Sequence, residues 1–433
     1  PQLLTYSWCR CFTDASSAAK TNTSTRKPHS PKMKINILSS SIALLLSAFT
    51  ATNANADTLT PFDNIVSRIV ECNPALKSAG AAEAAAIEEF KAENSLPGPE
   101  VEFERLYNSA DHGDNRWGVS VSQDIPWPGV FGRRSKAAEA MTTAAGLREQ
   151  AARNELELKV RQLLINYVEA KKTHSLNHKI AHSLDEMYRH YRQAYDNGEA
   201  TIIDVNKARI EAIRAMMEDK QNEDLIAAYE EEIKAMAPGI DLTAGLTALE
   251  EYAAPGLDSL DSYLAAYDNS PERALAIHET ELQKASAKLA SASLWPGIKI
   301  GYMHEFEENT HFNGFSIGLS LPSWNVKATR RASEARALEA AFAAEALRTE
   351  AMQQLRSEYI RARSFKEQIA AFAPAVEGVN NIALLRRALD GGELSLLEYL
   401  QESAYFIQAM REFIRLNHDY ALSLAILSRY MPR

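Results

Sequence analysis

The chain has 433 residues and a formal net charge of −10, so nothing in it favours nucleic acid as a partner. Charged residues make up 24 % and alanine is abundant, which suits long exposed helices. Aromatic residues are only 8 %, and they gather near the segments that read as strands.

Residues 1–32 hold no Met and no apolar period, and are expected to be a non-native upstream extension. Met33-Lys34 is the expected start. An apolar stretch from Ile35 to Ala51 and an Ala54-Asn55-Ala56 site follow, so 33–56 reads as a secretory signal peptide. Cleavage there would remove Cys9 and Cys11 and leave Cys72 alone, with no intrachain disulfide. Beyond residue 57 no segment approaches the length of a transmembrane helix. Such a chain can still cross a membrane as part of a closed β-barrel.

The remainder is a duplication. Asn73-Pro74 is answered by Ser270-Pro271, Leu96 to Gly98 by Trp295 to Gly297, and Gly118 to Pro126 by Gly314 to Pro322. Asn197 to Val205 is answered by Gly391 to Tyr399. A repeat of this size governs the fold. The first copy is expected over 57–236: a helix, a hairpin over 100–123, and long helices over 130–195 and 201–236. The second is expected over 270–433: a helix, a hairpin over 298–321, and long helices over 326–389 and 395–430. Residues 237–269, with Pro238-Gly239 and Pro255-Gly256, read as a linker or short loop-and-helix collar between them.

The hairpins show period-two patterning. Val101, Phe103 and Tyr107 oppose Glu102 and Glu104; Trp117, Val119 and Val121 alternate with Gly118, Ser120 and Ser122. Ile298, Ile300, Tyr302 and Phe306 alternate with Lys299, Gly301, Met303 and Glu305, and Phe315 to Leu321 repeats the pattern. One face is apolar with aromatics toward its ends, and the other is small or polar, as for a wall between lipid and water. Glu102, Glu104 and Glu305 would then face a lumen. Four strands cannot close around water, whereas three protomers would supply twelve. The polar tips, Asn108 to Asn115 and Glu307 to Asn313, would point outward. Pro126 to Gly129 and Pro322 to Trp324 end the strands where helices begin. The stretch from Val130 to Tyr195 would reach roughly 100 Å as one helix, and Pro374 marks an expected kink in its counterpart.

This layout resembles the TolC family of trimeric outer membrane efflux proteins over about 58–430. The most specific element is the repeated turn, Tyr195 to Asp204 with Gly198 and Thr201, and Leu389 to Glu398 with Gly392 and Ser395. Gly198 and Gly392 suit a left-handed helix end, Thr201 and Ser395 suit N-caps, and Asp204 and Glu398 fall in first helical turns. The resemblance implies an α+β membrane protein. Its long helices form a coiled-coil barrel, and each protomer gives four strands to a trimeric twelve-stranded transmembrane β-barrel. It implies a periplasmic gate at Asp204 and Glu398, with Gln401 where the family's type member has a second acid. Leu389 and Leu394 likewise replace a tyrosine and an arginine. It implies adaptor contact at Tyr195, Gly198, Thr201, Gly392 and Ser395.

His174, His178 and His182 fall at i, i+4 and i+8 on one helix. Two such histidines can ligate a metal from one face, but a polar helical face of neutral imidazoles explains them more simply. No metal and no cofactor are expected. His112, His304 and His311, with Asp111, Asp114, Glu305, Glu307 and Glu308, suggest loose cation attraction rather than a defined site. The chain is therefore expected to be a homotrimeric channel in outer membrane lipid. Its partners would be a periplasmic adaptor and an inner membrane pump of the RND type, and it would catalyse nothing. A soluble periplasmic scaffold is the alternative, and a metal-dependent enzyme on the histidine helix a more distant one.

Overall fold

The computed structural model describes residues 60–431 apart from 108–114, 253–255, 293, 308–309, 322–325 and 378–380. The expected upstream extension and signal segment lie outside the described residues, as do most of the first hairpin tip with His112, Glu308 and the Pro322 to Trp324 junction.

Proline-led breaks shape the start of each repeat. In α1 (Pro61–Cys72), Thr60 Oγ1 accepts from the Asp63 amide at 3.1 Å, and Phe62, Ile65, Val66, Ile69 and Val70 form one buried stripe. Asn73 ends that helix. Its side chain accepts from the amides of Ala75 and Leu76 to open α2 (Pro74–Glu93), with proline in the position that needs no amide hydrogen. The second repeat begins likewise with α6 (Leu260–Asp268) and α7 (Pro271–Ala292), joined at Ser270, whose Oγ accepts from the Arg273 amide. Because α6 falls inside the stretch expected to be a collar, the duplication reaches one helix further upstream than Asn73 and Ser270 suggest.

Four antiparallel strands follow one another in a single sheet: β1 (Glu100–Leu106), β2 (Arg116–Ile125), β3 (Gly297–Glu307) and β4 (Thr310–Ser320), in that order. The central pairing, β2 with β3, joins the two repeats. β1 and β4 each keep one open edge.

The long helices are α3 (Gly129–Asp196) and α4 (Ile202–Met236) in the first repeat. In the second they are α8 (Val326–Glu377), α9 (Asn381–Asp390) and α10 (Leu396–Leu427), closed by a 3-10 turn over Ser428–Tyr430. At 68 residues, α3 is about 100 Å long. The helix expected over 326–389 is described in two segments. α8 continues through Pro374 to Glu377, and α9 resumes after residues 378–380. Among the described residues no helix is long and apolar enough to cross a membrane.

The largest core lies where α1, α3, α4 and α10 meet the short α5 (Thr243–Ala248), and it includes Ile69, Leu164, Tyr167, Ile233, Leu246 and Ala421. Tyr167 donates to Glu230 Oε1 at 3.1 Å and to the Leu246 carbonyl at 3.3 Å. Lys171 Nζ donates to the carbonyls of Thr247 and Leu249, both at 2.9 Å, so an ammonium closes the negative end of α5. Burial lowers the Lys171 pKa, and the nearby Glu250 and Glu230 oppose that shift. The second repeat has its own core of Tyr263, Tyr267, Leu355, Ala362 and Leu427.

Candidate functional site

Strand register settles which residues share a face. Val101 pairs with Val121, Val121 with Tyr302, and Tyr302 with Phe315, so one row crosses the sheet with only apolar and aromatic side chains. Phe315 is 85 % exposed, Ile317 82 % and Phe103 67 %, and no helix covers them. Soluble proteins seldom leave so large an apolar face bare. Aromatics mark both ends of this face. Toward the hairpin tips Trp117 packs on Phe103, His304 and Phe306, while at the helix junction Trp127 stacks on Trp295 with centroids 5.6 Å apart. His304 and His311 belong to the tip-side belt, where His304 Nδ1 lies 2.8 Å from Asn313 Oδ1.

The opposite face carries Glu102, Glu104 and Glu305, as the alternation implies. Glu104 and Glu305 flank Gly118 in one row, where a Cβ would come within 3.3 Å of Glu305 Cγ. This face is less acidic than the three glutamates suggest. Arg116 pairs with Glu307 at 2.6 Å and approaches Glu305 at 3.6 Å, and Lys299 pairs with Glu100 at 2.6 Å. Glu102 and Glu104 are exposed.

The two turns at the far end of the helices share their main bonds. Gly198 has φ +81° and Gly392 φ +74°. The amide of Gly198 donates to the Tyr195 carbonyl and that of Glu199 to Ala194. The amide of Gly392 donates to Leu389 and that of Glu393 to Ala388. Each is a left-handed helix end that satisfies two last-turn carbonyls. Each returning helix then opens with a reciprocal cap, Thr201 with Asp204 and Ser395 with Glu398. The carboxylates expected at a gate therefore hold their own helix ends, and the Ser395 amide keeps the Glu398 carboxyl below its ordinary range. Gln401 is exposed one turn further along α10. Met187, Ala208, Leu396 and Tyr399 pack the turns together, with Tyr191 and Leu389 at the margin. Leu389 contributes apolar contact there.

On the shaft, the histidine row divides. His174 and His178 both face Asp219 of α4, while His182 lies near Glu186 of its own helix. Asp219 was not picked out from sequence, because it lies on the other arm of the hairpin. Close by, Arg411 of α10 donates to Asn177 of α3 at 2.9 Å and pairs with Glu218 of α4. That three-helix tie was equally hidden.

Residues 65–247 match the family model for outer membrane efflux proteins. That match covers less than half of the chain. The Campylobacter jejuni CmeC outer membrane channel shares the fold with a TM-score of 0.71 at 16 % identity, over 92 % of this chain and 93 % of that one. A Pseudomonas aeruginosa membrane protein gives 0.71 at 18 %, over 86 % and 90 %. The open state of the Neisseria gonorrhoeae MtrE outer membrane channel gives 0.69 at 17 %, over 86 % and 88 %. No curated protein sequence matches. The likeness to these channels is one of fold: long helices with a four-stranded sheet.

Proposed function

We propose that this protein is the outer membrane channel of a tripartite efflux system, a passive conduit and not an enzyme. The observation that carries the reading is the sheet, apolar and uncovered on one face, polar on the other, and open at both edges. Pairing of β1 with β4 of the next copy closes such a sheet without leaving an unpaired edge in lipid. Three copies give twelve strands, an even number within the range of such barrels. The polar face lines the lumen, where Glu102, Glu104 and Glu305 bias the wall toward cations and Arg116 and Lys299 temper that bias.

The long helices continue the conduit into the periplasm. Their turns at Tyr195, Gly198, Thr201, Gly392 and Ser395 meet the helical hairpin of a periplasmic adaptor. The adaptor in turn meets an inner membrane pump of the RND type, which supplies the energy. Asp204, Glu398 and Gln401 ring the periplasmic constriction, and adaptor binding favours its open arrangement. The reading is tested by electron microscopy of detergent-extracted protein together with single-channel recording in planar bilayers. A three-fold hollow particle with discrete conductance is expected. A water-soluble rod without conductance would return the chain to the scaffold alternative.

A further inference from the structure

We propose that His174, His178 and Asp219 form a site for one borderline divalent transition metal, of the class of Zn²⁺, that ties α3 to α4 within a protomer. His174 Nδ1 lies 2.9 Å from Asp219 Oδ1, and His178 Nδ1 lies 3.0 Å from Asp219 Oδ2. One donor atom from each residue falls within 4.8 Å of the others. Four-coordinate zinc with nitrogen and oxygen ligands sets its donors roughly 3.4 Å apart, so small side-chain rotations bring all three onto one ion. Two imidazoles favour zinc, copper or nickel over magnesium or calcium, which prefer oxygen. Three protein ligands leave one position for water.

A second observation points the same way. His174 Nδ1 and Asp219 Oδ1 are both buried and neither has a hydrogen-bond partner; their close approach lacks hydrogen-bond geometry. A buried polar atom left in this way costs about 1–3 kcal/mol. A metal would satisfy both atoms at once. The Asp219 side chain is only 18 % exposed, while that of His178 is 69 % exposed, so the cluster has a fixed base and an accessible rim.

The duplication supplies an internal comparison. Phe372 lies as far before Gly392 as His178 lies before Gly198, and Phe413 as far beyond it as Asp219. In the second repeat these two phenylalanines stack, with centroids 6.4 Å apart. The same level of the hairpin is therefore closed by an apolar pair in one repeat and by a set of metal donors in the other.

The test is calorimetric titration of the chelator-stripped, detergent-extracted full chain with zinc chloride alone. One saturable equivalent per protomer is expected. It should be lost in His174→Gln, His178→Gln and Asp219→Asn, and retained in His182→Gln, with each variant checked for an unchanged oligomer by size exclusion. If Asp219→Asn fails to assemble, the exposed His178→Gln decides alone. Zinc should also raise the Tm of the unaltered protein and not that of His178→Gln. Absence of saturable binding, or binding that survives in His178→Gln, would overturn the proposal.

Discussion

Ser395 and Glu398 hold each other across the first turn of α10. The Ser395 amide donates to Glu398 Oε2 at 2.8 Å, and Ser395 Oγ accepts from the Glu398 amide at 3.3 Å. The first of these bonds favours the ionised carboxylate, so the pKa of Glu398 is depressed. A group depressed on folding stabilises fully above its unfolded pKa and loses that contribution as pH falls through its folded value. The tip turn should therefore loosen on acidification below the ordinary carboxylate range. Hydrogen exchange of the first-turn amides of α10, followed against pH, should show this opening. In Glu398→Gln the exchange should show no such step.

The same turns depend on a left-handed residue. Gly392→Val places a β-branched side chain at φ +74°, and Gly198→Val does so at +81°. Each should cost at least about 1–2 kcal/mol, although nothing crowds either position. Limited proteolysis should cut the variant turns faster than the native ones. Equal rates would mean the turn relaxes at no cost.

Lys171 should matter more than its position on a helix surface suggests. Lys171→Met keeps the aliphatic stem but removes the donor to the carbonyls of Thr247 and Leu249. A loss of about 1–3 kcal/mol follows, read as a lower Tm with strand content unchanged by circular dichroism.

The two faces of the sheet should respond oppositely to charge. Ile317→Lys puts an ammonium on the lipid-facing side of β4, at a cost of about 2–4 kcal/mol near the bilayer midplane. Ser316→Lys, one residue away, points to the wet side beside Gly301. Membrane fractionation should find the first depleted from the outer membrane and the second retained. Equal recovery would remove the basis for assigning lipid to the apolar face.

What was legible in sequence was local or repeated. The turns at Gly198 and Gly392 could be read because their chemistry lies within a few residues, and the strands because their period is two. Three features were less accessible. Partnership of His174 and His178 with Asp219 depends on how the arms of a hairpin align, and side chains one turn apart along α4 would have served the pattern equally well. α6 was expected only as an unplaced helix within the 237–269 collar. Pro374, expected to mark a kink, lies inside α8 rather than at its end.

The open edges of β1 and β4 have a cost before the wall is closed. A single copy carries an oily ribbon flanked by two unsatisfied strand borders, the arrangement most prone to sticking to whatever extended chain it meets. On the proposed trimer its siblings would cap those borders; a stray strand would cap them wrongly. Biogenesis is thus a race between trimer completion and misassociation. Overproduction should therefore yield aggregates rather than more channels.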